Sequence, residues 1–159
     1  MSTQPDIGDS IPDISMETPE GGSVKPSDFK GEKLVLFFYP KDNTPGCTTE
    51  NIDFSALAAD FAAAGTRLLG ISKDSARKHL NFIARHDLKA PLATDPESDG
   101  LADALGIWVE KQMYGKSYMG MERSTFLIDS DGKIAQVWRK VKVKGHAAEV
   151  LAAAQALQG

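Results

Sequence analysis

The 159-residue sequence contains one cysteine, Cys47. An internal disulfide is therefore impossible, and so is a metal site built on several thiolates. Long apolar stretches are also missing. The longest run, Leu34–Tyr39, has six residues, against the ~20 that a helix needs to cross a bilayer. The opening Met1-Ser-Thr-Gln-Pro-Asp6 lacks a basic segment followed by an apolar one. That predicts no signal peptide, no membrane partner and a reducing cytoplasm. Positive charge is outnumbered: 18 Lys and Arg stand against 22 Asp and Glu, a net charge of −4, so nucleic acid is not an expected partner. Histidine is scarce, with three residues. His79 and His86 do not form the H-E-x-x-H pattern of a metal helix, and these side chains read as solvated or internally satisfied. Asp95-x-Glu97-x-Asp99-Gly100 resembles the start of a calcium loop, but its twelfth position is Gly106 rather than a bidentate Glu. No metal and no cofactor are expected. Repeats and low-complexity tracts are absent as well.

The composition that remains is ordinary for a globular chain, with 42% hydrophobic and 25% charged residues. It predicts one domain over residues 1–159, preceded by a loose N-terminal arm over 1–12. Ile14–Thr18 and Ser23–Lys25 flank Pro19-Glu-Gly-Gly22 and predict a small hairpin. Phe29-Lys30-Gly31 reads as a turn. Lys33–Tyr39 is apolar without alternation, which fits a strand buried on both faces. After the loop Lys41–Gly46, the spacing of Phe54, Leu57, Ala58 and Phe61 predicts a helix over 47–64, ended by Gly65. Arg67–Ser72 is the next strand. Asp74 is expected to cap a helix reaching His86, with Ala76, Leu80 and Ile83 inward. Leu92–Thr94, Ile107–Tyr114, Ser124–Asp129 and Lys133–Lys140 read as further strands, Ser98–Leu105 as a short helix. The chain closes on an amphipathic helix over 146–157. Alternation of strands and helices argues an α/β fold with a central mixed β-sheet and helices on both faces.

Chemistry concentrates in Tyr39-Pro40-Lys41-Asp42-Asn43-Thr44-Pro45-Gly46-Cys47. A buried strand ends, a turn-rich loop follows, and a helix begins at the cysteine. Sites in α/β sheets form beyond the carboxyl ends of strands. A helix N-terminus offers free N–H donors and partial positive charge, which favours thiolate over thiol. A lone cysteine is more often a small buried hydrophobe. The loop position, with Gly46 before it and Thr44 three residues earlier, argues otherwise.

These residues resemble a family. Pro40-x-x-x-Thr44-x-x-Cys47 looks like the signature of peroxiredoxins, cysteine-dependent peroxidases of thioredoxin-like fold. Phe38–Glu50 resembles the bacterioferritin comigratory (peroxiredoxin Q) subfamily, as do Arg123–Gly132 and Val141–His146. The resemblance implies a thiol-dependent peroxidase that reduces hydrogen peroxide and organic hydroperoxides without metal, haem or flavin. It makes Cys47 the peroxidatic thiolate, which becomes a sulfenic acid. Thr44 would supply a hydroxyl, Gly46 and Cys47 their N–H groups, and Arg123 a guanidinium for the thiolate and the developing charge. Pro40 would shield the sulfur, and Glu50 would orient Arg123. Many subfamily members carry a resolving cysteine five residues on, where this chain has Ile52. The sulfenic acid must then be reduced by an external thiol, or pair with Cys47 of another copy. Thioredoxin is the family's usual reductant, with glutaredoxin or glutathione as alternatives. A monomer or weak homodimer is expected. A non-enzymatic peroxide sensor that passes a disulfide to a partner, and a thioredoxin-fold binding module with an inert Cys47, stand as rival readings. Ile52 lies off the core stripe and reads either as exposed beside the site, open to a docking partner, or as an ordinary partly buried contact. The basic run Arg139–Lys144 reads as a charged sheet edge. Trp108, Trp138, Tyr114, Tyr118, Met113, Met119 and Met121 read as core rather than as a pocket.

Overall fold

The computed structural model describes residues 4–157. The first hairpin forms as short strands, β1 (Met16–Glu17) antiparallel to β2 (Ser23–Val24). A 3-10 turn over Pro26–Phe29 then leads to β3 (Lys33–Phe38), buried along its whole length. Its side chains alternate between two cores. Leu34, Leu36 and Phe38 face one, while Val35, Phe37 and the following Tyr39 face the other.

Two helices stand where one was expected over 47–64: α1 (Pro45–Ala56) and α2 (Ala58–Ala63). Pro45 starts α1 two residues early, because its ring suits the first helical position. The chain tightens at Leu57, whose N–H reaches the Phe54 and Ser55 carbonyls. Phe54 and Phe61 are fully buried as expected, whereas Leu57 and Ala58 are only partly so. Gly65 ends the segment at φ +67, a conformation that a side chain would strain.

β4 (Thr66–Ser72) and α3 (Ala76–His86) follow. Asp74 does not cap α3. Ser75 does, its hydroxyl accepting from the Lys78 N–H. The buried face of α3 is also displaced from the expected one. His79 and Phe82 are fully buried, while Leu80 is 47% exposed. Next come β5 (Leu92–Thr94), α4 (Leu101–Ala104), β6 (Trp108–Met113) and β7 (Lys116–Met121). Strand β7 was not expected, because most of it is exposed and it carries little apolar alternation. It forms by pairing with β6 across Tyr114-Gly115, both at positive φ (53 and 77), the geometry of a tight two-residue hairpin turn. β8 (Ser124–Ile128), β9 (Ile134–Trp138) and α5 (His146–Ala156) complete the chain.

Seven strands form a mixed sheet in the order β2-β1-β5-β4-β3-β8-β9, with β3, β4 and β5 parallel. Gly70 of β4 has a steric reason to be glycine. An added Cβ would lie 2.7 Å from both Phe37 and Leu92. Side chains of α1, α2, α3 and α5 fill the core on one face, where Phe54 stacks on Phe37 with centroids 4.3 Å apart. The other face carries α4 with Ile11, Met16 and Met121. Helices therefore lie on both faces, unevenly. Buried Lys33 reaches across to α5 and donates from Nζ to the Ala154 and Leu157 carbonyls, at 2.6 and 3.0 Å, which completes that helix's C-terminus.

The N-terminal arm is not loose where it is described; residues 1–3 lie outside the described residues. Gly8 N–H donates to the Ile134 carbonyl and Ile11 N–H to the Gly132 carbonyl, at 2.8 and 2.9 Å. Ile11 joins the core, so backbone pairing and apolar burial both tie the arm down. The aromatic and methionine set does not act as one core. Met121 is buried and Trp108 packs against the core, but Tyr114 is 97% exposed and Tyr118 and Met119 are exposed beside it. The Met113 side chain lies outside the described residues. The basic run lies beyond edge strand β9 rather than in it, with Lys140, Lys142 and Lys144 exposed. Among the described residues, no helix is long and apolar enough to cross a membrane.

Candidate active site

Register brings the site together. Across the antiparallel pair of β3 and β8, Phe38 faces Ser124. Arg123, the residue before β8, therefore meets the carboxyl end of β3, where the chain turns into α1. Cys47 is third in α1, after the cap residue Thr44, Pro45 and Gly46. Proline has no N–H, and the Thr48 N–H already bonds the Thr44 carbonyl at 2.8 Å. Gly46 and Cys47 thus hold the first-turn donors without intrahelical partners, and the positive end of the helix lies at the sulfur.

Cys47 is 1% exposed. Arg123 Nη2 lies 3.3 Å from its Sγ, and Nη1 lies 2.5 Å from Glu50 Oε1. One guanidinium therefore spans the sulfur and a carboxylate. Burial alone would push Arg123 down, but the charges of Glu50 and Cys47 hold it above its ordinary value. Glu50 is itself 1% exposed, and its second oxygen, Oε2, has no partner among the described residues. Burial pushes its pKa from an ordinary 4.5 to about 7, against the opposing pull of Arg123.

The expected residues take these places. Thr44 donates its hydroxyl to the Lys41 carbonyl at 2.7 Å rather than capping the helix, which leaves the oxygen free to accept. Gly46 borders Arg123 so closely that an added Cβ would sit 3.2 Å from Nη2. Pro40 is exposed where β3 ends. Ile52 is 43% exposed, off the buried stripe as expected. That stripe of α1 is Cys47, Glu50, Asn51 and Phe54, a helical spacing that begins at the cysteine.

Sequence reading missed several neighbours. Lys111 of β6 donates from Nζ to the Met121 carbonyl at 2.6 Å. Burial lowers its pKa, Arg123 lowers it further, and Cys47 opposes, so the β6–β7 hairpin brings a second cation toward the sulfur. Asn51 donates to the Cys47 carbonyl at 2.9 Å; its position four residues after the cysteine was the available signal. Beneath the loop, Asp42, Tyr39 and His79 form a buried polar cluster. His146 is buried against Thr125, 2.8 Å away, and burial lowers its pKa from 6.5 to about 4. Among the described residues, no group of three or more His, Cys, Asp and Glu side chains could hold a metal ion.

Comparison with known proteins places the chain in a family. The AhpC/TSA family pattern matches residues 7–137. The chain is 49% identical to peroxiredoxin Bcp of Bacillus subtilis over 146 residues, 92% of each chain. It is 52% identical to peroxiredoxin Bcp of Xanthomonas campestris over 126 residues, 79% of this chain and 78% of that one. A solved structure of the Xanthomonas campestris bacterioferritin comigratory protein superposes with a TM-score of 0.87 at 44% identity, covering 95% of this chain and 98% of that one. A peroxiredoxin Q mutant from Xylella fastidiosa superposes at 0.90 with 38% identity, covering 98% of both.

Proposed function

The chain belongs to the AhpC/TSA family as a thiol peroxidase of the peroxiredoxin Bcp type, and on that premise we propose that Cys47 reduces hydrogen peroxide and organic hydroperoxides in a one-cysteine cycle. The Cys47 thiolate attacks one peroxide oxygen. The O–O bond breaks, the sulfur becomes a sulfenic acid, and the second oxygen leaves as water or an alcohol after taking a proton. Charge develops on that leaving oxygen. Preorganised donors aimed at it supply the stabilisation: the Arg123 guanidinium, the Gly46 and Cys47 N–H groups, and the Thr44 hydroxyl. Glu50 holds the guanidinium in place, and Pro40 limits water at the sulfur. The observation that carries this reading is Arg123 Nη2 at 3.3 Å from the sulfur of the only cysteine.

With no second cysteine in the chain, an external thiol displaces water from the sulfenic acid to form a mixed disulfide, and a second thiol then releases Cys47. We assign the reductant to the thioredoxin class. Cys47 is 1% exposed, so it reaches a protein thiol only if the first turn of α1 moves, and exposed Ile52 offers an apolar contact on the same helix. The enzyme acts in the cytoplasm, as one thioredoxin-like domain and as a monomer or weak dimer.

The test is peroxide consumption by the reduced protein and by Cys47→Ser, with dithiothreitol, thioredoxin, or glutathione with glutaredoxin. Multiple turnovers that vanish in Cys47→Ser are expected, with thioredoxin the effective physiological reductant. A single stoichiometric oxidation that no reductant reverses would favour a sensor. Turnover with glutaredoxin but not thioredoxin would reassign the reductant.

A further inference from the structure

A buried polar cluster lies under the loop that leads into α1. Asp42 is 7% exposed, Tyr39 and His79 not at all. His79 Nε2 lies 3.1 Å from the Ala93 carbonyl. A carbonyl can only accept, so Nε2 carries a hydrogen. His79 Nδ1 lies 2.7 Å from Asp42 Oδ2. The two atoms meet at ion-pair distance but outside hydrogen-bond geometry, so each is held by the packing around it rather than by a bond between them. The other carboxyl oxygen, Oδ1, accepts the Tyr39 hydroxyl at 2.6 Å. The Asp42 backbone is held too, its N–H donating to Asp74 Oδ2 at 2.8 Å. Asp74 in turn accepts the Ser72 hydroxyl at 2.7 Å.

Asp42 is thus held through side chain and backbone against three elements: the end of β3, the turn after β4, and α3. The residues that follow depend on that anchor. Asn43 takes a left-handed φ of 61, Thr44 bonds back to the Lys41 carbonyl, and α1 begins at Pro45. Nothing in the cluster is placed to touch peroxide. Its members are buried on the side of the loop away from solvent, and each contact fixes where the loop runs.

We propose that Asp42 and His79 are positioning residues for peroxide reduction: their close buried pair, braced by Tyr39, sets the loop that places Thr44 and the Cys47 turn of α1 against Arg123. The inference rests on the reading that Cys47 attacks peroxide. Misplacing reacting groups by about 1 Å can cost ~100-fold in rate. Attack on a small alkylating agent needs a thiolate but not the donors aligned for a peroxide leaving group, so it is spared.

The test is the rate at which reduced Cys47 reacts with hydrogen peroxide and, separately, with iodoacetamide. Wild-type oxidation checks the underlying reading first, because a Cys47 inert to peroxide would remove that reading whatever the variants do. In His79→Gln the amide reaches the Ala93 carbonyl but not Asp42. Peroxide oxidation should fall roughly 10- to 100-fold, with iodoacetamide alkylation within about threefold of wild type. In His79→Asn the amide nitrogen overlies Nδ1 and restores the Asp42 contact, so the peroxide rate should return to within about fivefold of wild type. A peroxide loss below tenfold in folded His79→Gln would overturn the proposal. So would equal losses toward both reagents, or no recovery in His79→Asn. If His79→Gln fails to fold, Tyr39→Phe decides, since it removes one donor and no charge. A peroxide-specific loss of about threefold or more supports the positioning role, and a smaller one refutes it.

Discussion

Replacing Glu50 with Gln should make the protein more stable, and only above a definable pH. Glu50 is 1% exposed, with one carboxyl oxygen unpartnered among the described residues, and its pKa is pushed from 4.5 to about 7 by burial, despite Arg123. In the unfolded chain the group ionises near 4.5. Between there and about 7 the folded protein holds a proton that the unfolded chain has released. Stability from this group therefore falls as pH rises through that window, and the loss is complete above it. A shift of this size corresponds to roughly 3 kcal/mol. The amide of the Glu50→Gln variant carries no titrating proton and keeps an oxygen for Arg123. Wild type alone would not report this cleanly, because His146 works in the opposite sense. Its pKa is lowered from 6.5 to about 4 by burial, so its contribution is present above 6.5 and is lost as pH falls toward 4. The difference between Glu50→Gln and wild type cancels the histidine. Urea denaturation of both proteins from pH 4 to 8.5 should give nearly equal stabilities at the acid end, with the variant ahead by about 2–3 kcal/mol at pH 8. A difference independent of pH, or a wild type that gains on the variant with rising pH, would mean that the Arg123 charge outweighs the desolvation of Glu50.

Other substitutions test the same site. Arg123→Ala removes the guanidinium from the sulfur and should slow peroxide oxidation by roughly 100- to 1,000-fold, read by stopped-flow, while Arg123→Lys recovers only part because it cannot span Cys47 and Glu50 together. Gly46→Ala places a methyl 3.2 Å from Arg123 Nη2; the oxidation rate should fall about 3- to 10-fold, while thermal stability is unchanged or raised by the better helix former. Ile52→Glu should weaken turnover with thioredoxin by about tenfold and leave dithiothreitol-supported turnover intact, measured as the reductant concentration at half-maximal rate.

Most of the architecture was legible because its signals are local. Lys33–Tyr39 reads as a doubly buried strand from its apolar run, and it packs that way. Turn residues marked the first hairpin and the loop before Cys47. The misreadings share a cause. Leu80 fits an apolar helical stripe, but α3 turns His79 and Phe82 inward, because a polar cluster is available to satisfy the imidazole. Asp74 fits a helix cap, but the Asp42 backbone and Ser72 hydroxyl compete for its carboxylate and Ser75 takes the cap. Strand β7 has almost no buried face of its own and exists because a tight turn at Tyr114-Gly115 folds it onto β6. The N-terminal arm looked loose because its few apolar residues gave no sign that β9 would offer backbone partners.

By itself the sequence determined the one candidate nucleophile, its position at the start of a helix, and the absence of a second cysteine. These follow from residue identity and from short-range spacing, which survive without knowledge of the fold. The environment of that group was decided by tertiary structure. Arg123 is 76 residues from Cys47 and reaches it because β8 pairs with β3 in a register that sets Ser124 against Phe38. Burial raises Glu50, a desolvation that no linear pattern encodes. Asp42 Oδ2 and His79 Nδ1 come within 2.7 Å because α3 packs under the loop. A side chain's charge and hydrogen-bond state depend on what surrounds it in space, and packing across distant segments supplies those surroundings.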